Sequence, residues 1–169
     1  MRIFAGCIIA TIVFTGCGYV SAAHYAQSVV GESVSTEVLI SAEDPQNTVL
    51  IKDAVDTAVI TKFRTSLTSK NASKTHLKIQ ILSVSFTPLR YDVNGYVVTY
   101  RTIVSMGINR TTLDKSKGYS TWGVYDFDIE PNAIISDQAR FNAIGLSAQK
   151  AIDAFIAQIA AEGSNLSKE

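Results

Sequence analysis

The chain is poor in the residues that carry chemistry. Its 169 residues include two cysteines, two histidines, three prolines and one tryptophan. The cysteines, Cys7 and Cys17, both lie near the N-terminus, so no disulfide framework holds the body of the chain. The sequence contains no His-x-x-x-His pair, no nucleophile elbow and no glycine-rich phosphate loop, which removes the zinc, hydrolase and nucleotide chemistries those motifs carry. An excess of one charge is also missing, since 15 basic residues face 15 acidic ones. Gripping nucleic acid through bulk electrostatics needs a basic surplus that releases counterions, so no nucleic-acid partner is expected. With 47% hydrophobic residues the chain is not a disordered one. A single domain of this length buries about two-thirds of its unfolded surface, enough for a core without staples.

The apolar residues are unevenly placed. Eleven of the first sixteen are hydrophobic, with Met1-Arg2 leading a run from Ile3 to Phe14 that only Gly6 and Thr11 interrupt. One positive charge, a short apolar run and a small-residue exit make a secretory signal. The run is too short to span a bilayer, which takes about 20 residues. Phe14-Thr15-Gly16-Cys17 resembles a bacterial lipobox, in which the cysteine thiol takes a diacylglycerol and the new N-terminus an acyl chain such as palmitate. The expected division is a lipoprotein signal peptide at 1–16, a lipidated cysteine and tether at 17–33, an α+β domain at 34–162 and a flexible tail at 163–169. Acylation turns a soluble domain into an anchored one. Each buried methylene contributes about 0.8 kcal/mol, so two or three chains hold where one binds only marginally. Glycine rather than aspartate at position 18 points to the periplasmic side of the outer membrane. Cys17 needs no other cofactor.

Periodicity supplies the rest. Val34, Thr36, Val38 and Ile40 alternate as a first strand. Asp44-Pro45 reads as a helix start, followed by a stripe of Ile51, Val55, Val59, Phe63 and Leu67, so the spacing predicts a helix ending near Asn71. Leu77, Ile79 and Ile81 alternate, then Leu82, Val84 and Phe86 do so out of phase, which implies a bulge near Ile81-Leu82. Pro88 is expected to close that strand. Asn94-Gly95 signals a hairpin. The third strand is expected to turn Tyr96, Val98, Tyr100, Thr102, Val104, Met106 and Ile108 to one face. A polar loop is expected from Thr112 to Gly118. The fourth strand then places Tyr119, Thr121, Gly123, Tyr125 and Phe127 inward, with Trp122 and Val124 on the reverse. Pro131-Asn132 ends the sheet, Ser136 or Asp137 caps a last helix, and Gly163 is expected to stop it. The fold class is α+β: a two-layer sandwich of order β-α-β-β-β-α, with a mostly antiparallel four-stranded sheet and two helices on one face.

Candidate site residues are few. His24 falls in the tether, and His76 reads as a solvated strand-end residue. Asp126, Asp128 and Glu130 share one strand face, but a calcium site wants a turn, so they read as a solvated edge and no metal is expected. Arg101 faces outward, and Arg110, Lys115 and Lys117 surround one loop. Clusters of this kind receive phosphorylated head groups. Trp122, with Val97, Ile103 and Val124, would make an apolar patch on the uncovered sheet face, as partner interfaces do.

Cys17-Gly18-Tyr19, the stretch from Glu43 to Ala54, Tyr91 to Tyr96, Tyr125 to Asn132 and Arg140 to Ile144 together resemble the LPS-assembly lipoprotein LptE family over about Cys17 to Ala161. The resemblance implies a non-enzymatic subunit of the lipopolysaccharide translocon. It would plug an outer-membrane β-barrel of the LptD kind, help that barrel assemble and assist lipopolysaccharide insertion at the cell surface. It assigns no contact residues, so Arg101, Arg110, Lys115, Lys117 and Trp122 remain candidates from the residue pattern alone. The alternative is an auxiliary lipoprotein of an ABC-type lipid or solvent exporter.

Overall fold

The computed structural model describes residues 22–39, 51–53, 55–57, 60–61, 66–113 and 115–166. In chain order these form α1 (Ala22–Val30), β1 (Ser33–Leu39), helical residues at 51–53, 55–57 and 60–61 (together α2), β2 (Ser66–Leu67), β3 (Thr75–Tyr91), β4 (Val97–Thr112), β5 (Lys115–Asp128) and α3 (Asp137–Leu166). The strands make one sheet in the order β2-β1-β3-β4-β5. The helices pack on one side of it, which is the expected α+β layering. The Asp44-Pro45 cap and Cys17 lie outside the described residues.

Periodicity placed the core correctly. Thr102, Val104, Met106 and Ile108 are buried on β4, while Arg101, Ile103, Ser105 and Asn109 between them are not. Beside them in the sheet lie Val34, Leu77 and Ile79, and packed against this face are Ile51 and Val55 from α2 and Ile144, Ile152, Phe155 and Ile159 from α3. The bulge is where the phase slip put it. Ile81 pairs with Met106 and Ser83 with Ser105, so Leu82 is the extra residue. Its side chain lies over Gly107 on the sheet face away from the described helices, where an added Cβ would stand 3.6 Å from it. At the β3–β4 turn Gly95 alone takes a positive φ of 84°. The Asp92 side chain accepts the amide protons of Asn94 (2.9 Å) and Tyr96 (2.8 Å), which fixes the turn. Ser136 caps α3, accepting the Ala139 amide at 3.2 Å.

Six expectations are corrected. The sheet has a fifth strand, because Ser66 and Leu67 pair parallel to β1 instead of continuing the α2 stripe. Ser66 N donates to the Glu32 carbonyl (3.1 Å) and Thr68 N to that of Val34 (2.9 Å), so the edge of β1 satisfies this backbone. The stretch expected as a tether is helical from Ala22, and Ala26, Val29 and Val30 are buried against α3. Half of its six apolar residues are alanine, which marks a stripe only weakly. Pro88 does not end β3, which runs on to Tyr91. Beyond Gln80 the only described neighbour of β3 is β4, and an edge strand tolerates a proline. The polar loop expected at Thr112 to Gly118 is mostly strand, since ladder bonds pair Thr112 with Lys115 and Arg110 with Lys117 whatever their side chains. Gly163 does not stop α3; it lets the Tyr25 carbonyl of α1 approach where an added Cβ would stand 2.3 Å from that oxygen. Tyr96, expected in the core, is 45% exposed. Tyr100 and Phe127 do pack, with ring centroids 6.1 Å apart.

Candidate functional site

The fold brings the basic residues of β4 and β5 to the end of the sheet where α1 and α3 terminate. Arg110 and Lys117 are cross-strand partners, and their side chains converge on Glu162 of α3. Arg110 Nη2 donates to Glu162 Oε1 at 2.8 Å, and Lys117 Nζ to Oε2 at 2.8 Å. The Tyr119 hydroxyl donates to Oε2 at 2.7 Å. Arg110 also reaches the Val29 carbonyl at 3.1 Å, so one guanidinium ties β4 to α1 and α3. Burial works to raise the Glu162 pKa, but the bonds from Lys117 and Tyr119 and the charges of Arg110 and Lys117 outweigh it and hold the carboxyl below its ordinary value. Burial, and the bond given to Glu162, push Tyr119 up to about 12.

A cleft of about 750 Å³ opens beside this cluster. Arg110, Lys115 and Lys117 line it, as do the hydroxyl-bearing residues Ser28, Thr112 and Ser116. Val29 and Leu113 add an apolar wall. Leu113 is 86% exposed at the β4–β5 turn, with φ of 52°. A leucine in the left-handed region costs roughly 1–2 kcal/mol. Three of the candidate cations therefore share one cleft, and they do so from paired strands rather than from a loop.

Arg101 and Trp122 stand apart, on the sheet face away from the helices. Arg101 grips Asp126 through two bonds, Nε to Oδ1 at 2.8 Å and Nη2 to Oδ2 at 2.7 Å. The hydrogen bond to Arg101 is the largest cause lowering the Asp126 pKa, and the reciprocal bond raises that of Arg101. Asp128 accepts Thr99 at 2.6 Å and Arg90 at 3.2 Å. Asp126 and Asp128 of the acidic cluster are thus ion-paired, and among the described residues no group of three His, Cys, Asp or Glu is placed to hold a metal. Trp122 is 64% exposed and pairs with Ser105, while Ile103 pairs with Val124 beside it. With Leu82 they form an apolar strip on an otherwise polar face.

His76 departs from expectation. It is half-buried, with Nδ1 2.8 Å from the Ser35 hydroxyl and Nε2 3.1 Å from Glu37. The bond from His76 is the largest cause lowering the Glu37 pKa. A Ser–His–carboxylate chain is the outline of a nucleophile site, but Ser35 is only 3% exposed and shares its hydroxyl with Ser73 at 2.7 Å. The chain ties the 69–74 turn to β1. Sequence spacing hid it, because Ser35 and His76 meet only through the parallel β1–β3 register.

No family model matches the sequence, and no curated protein matches it. Solved structures do resemble the fold. Rare lipoprotein B from Shewanella oneidensis aligns at a TM-score of 0.52 and 15% identity, over 80% of this chain and 98% of that one. A protein of Caulobacter crescentus CB15 described as a lipoprotein aligns at 0.54 and 9% identity, over 85% and 98%. The minor lipoprotein from Acinetobacter baumannii aligns at 0.51 and 8%, over 79% and 94%. At such low identities it is the fold that is shared, and the chain has the fold of these bacterial lipoproteins.

Proposed function

We propose that the chain is a lipid-anchored outer-membrane subunit of a lipopolysaccharide translocon, similar to LptE, that partners an LptD-like β-barrel. In this reading Cys17 carries the acyl chains on the periplasmic side. The domain is a non-catalytic plug and assembly partner that assists lipopolysaccharide insertion. The observation that carries it is the pairing of Phe14-Thr15-Gly16-Cys17 with a fold that covers 98% of rare lipoprotein B. The apolar strip around Trp122, on a sheet face with no helix over it among the described residues, supports a protein partner. The cleft at Arg110, Lys115 and Lys117 supports an anionic ligand, because Arg and Lys are the side chains that receive phosphate. No helix among the described residues is long and apolar enough to cross a membrane, so the reading assigns membrane attachment to the lipid.

The test is a mild-detergent pull-down of the lipidated protein at native expression, read by mass spectrometry. A large outer-membrane β-barrel is expected in the eluate. Recovery with an inner-membrane permease and no barrel would instead favour the exporter subunit and overturn this reading.

A further inference from the structure

The basic cleft already holds an anion, and the anion is its own. Glu162 presents two oxygens to three donors, Arg110, Lys117 and the Tyr119 hydroxyl, at 2.7 to 2.8 Å. Arg110 and Lys117 line the cleft and would coordinate an external phosphate or carboxylate in the same way, whereas Tyr119 is not part of this lining and its hydroxyl donates to Glu162. Glu162 is one charge facing three cations around the cleft. A phosphate offers three oxygens against its two, and Lys115 and Ser116 stand on the same wall to meet the extra one. The exposed Leu113 at the cleft mouth and Val29 beside it would receive an apolar chain but do nothing for a bare ion.

We propose that Glu162 is an internal counter-ion that occupies this cleft, and that an anionic amphiphile, a phosphate head joined to an alkyl chain, binds by displacing it. The displaced carboxylate sits near the end of α3, and Arg110, once drawn to the ligand, is the residue that also holds the Val29 carbonyl of α1. Binding is therefore read at the junction of α3 with α1, the helix that follows Cys17 in the chain. This deepens the glycolipid reading above and rests on it for the source of the ligand.

The test uses the lipidated protein in dodecyl maltoside, with ³¹P NMR following the titration of dodecyl phosphate and, separately, of inorganic phosphate. Saturable binding of dodecyl phosphate is expected, with inorganic phosphate at least tenfold weaker. Glu162→Gln removes the competing charge and is expected to tighten dodecyl phosphate binding by about tenfold, the order of one charge-assisted hydrogen bond. Tyr119→Phe loosens Glu162 without changing any charge, and is expected to tighten binding to a smaller degree. It keeps the test open if Glu162→Gln does not fold. Circular dichroism of each variant checks the fold. Equal or weaker binding by a folded Glu162→Gln, unchanged binding by Tyr119→Phe, inorganic phosphate binding as well as the amphiphile, or no binding at all would each overturn the proposal. A barrel recovered in the pull-down beside any of these results would leave the translocon reading standing and remove only the displacement.

Discussion

Gly123 of β5 lies directly beneath Ser147 of α3, so close that a Cβ at position 123 would stand 1.9 Å from the Ser147 carbonyl oxygen and 2.5 Å from the Ala151 nitrogen. Both obstructing atoms are helix backbone and cannot swing aside. Gly123→Ala should therefore lift α3 off the sheet and destabilise the domain by at least ~2 kcal/mol, read as a lower urea midpoint. Gly145, also within α3, has nothing within 4 Å of the same added carbon. Gly145→Ala should raise stability by roughly 0.5–1 kcal/mol, because only the helix propensity changes.

These two glycines show what the sequence could reveal. Period-2 alternation on β4 put Thr102, Val104, Met106 and Ile108 on one face, and all four are buried, since burial of one face leaves a direct pattern. Nothing in the pattern separated Gly123 from Gly145. Close approach is a relation between two elements, and it appears only once α3 is laid on β5. The same holds for Glu162. As one acid near the end of a helix it carried no signal, and it became the centre of a site when the β4–β5 ladder aligned Arg110 with Lys117. Alternation also missed α1, a nine-residue helix in which Ala26, Val29 and Val30 are buried among the residues whose side chains are described.

The Glu162 cluster should make stability depend on pH in acid. Its folded-state pKa lies below the ordinary 4.5, so the folded state holds the ionised form more favourably than the unfolded chain does. The resulting stabilisation is fully present above about pH 4.5 and is lost as pH falls through the lower folded value. Glu162→Gln should destabilise the domain at pH 7, and its urea midpoint should fall less between pH 6 and pH 3 than that of the parent. Parallel pH profiles for the two would show that the cluster contributes nothing.

Trp122 should separate partner binding from folding. At 64% exposure it adds little to the core, so Trp122→Ser should change stability by no more than ~0.5 kcal/mol. The same substitution should reduce recovery of a barrel partner severalfold in a pull-down. Full recovery with Trp122→Ser and Leu82→Ser combined would remove the apolar strip from the interface.

Cys17 should decide the anchor. Cys17→Ser is expected to bring incorporation of labelled palmitate to background. Undiminished labelling would place the lipid elsewhere or exclude it. The domain itself should fold as before, since among the described residues the buried core begins at Ala26.

The central claim is that the sheet face away from the described helices meets an outer-membrane barrel, and photo-crosslinking in living cells tests it most directly. A benzophenone amino acid in place of Trp122 should give, on irradiation, one adduct with a large outer-membrane protein whose gel mobility changes on heating, as a β-barrel's does. The same probe at Asp153, exposed on α3, should give much less of it. An adduct formed only with an inner-membrane permease, or equal barrel labelling from both positions, would contradict the account.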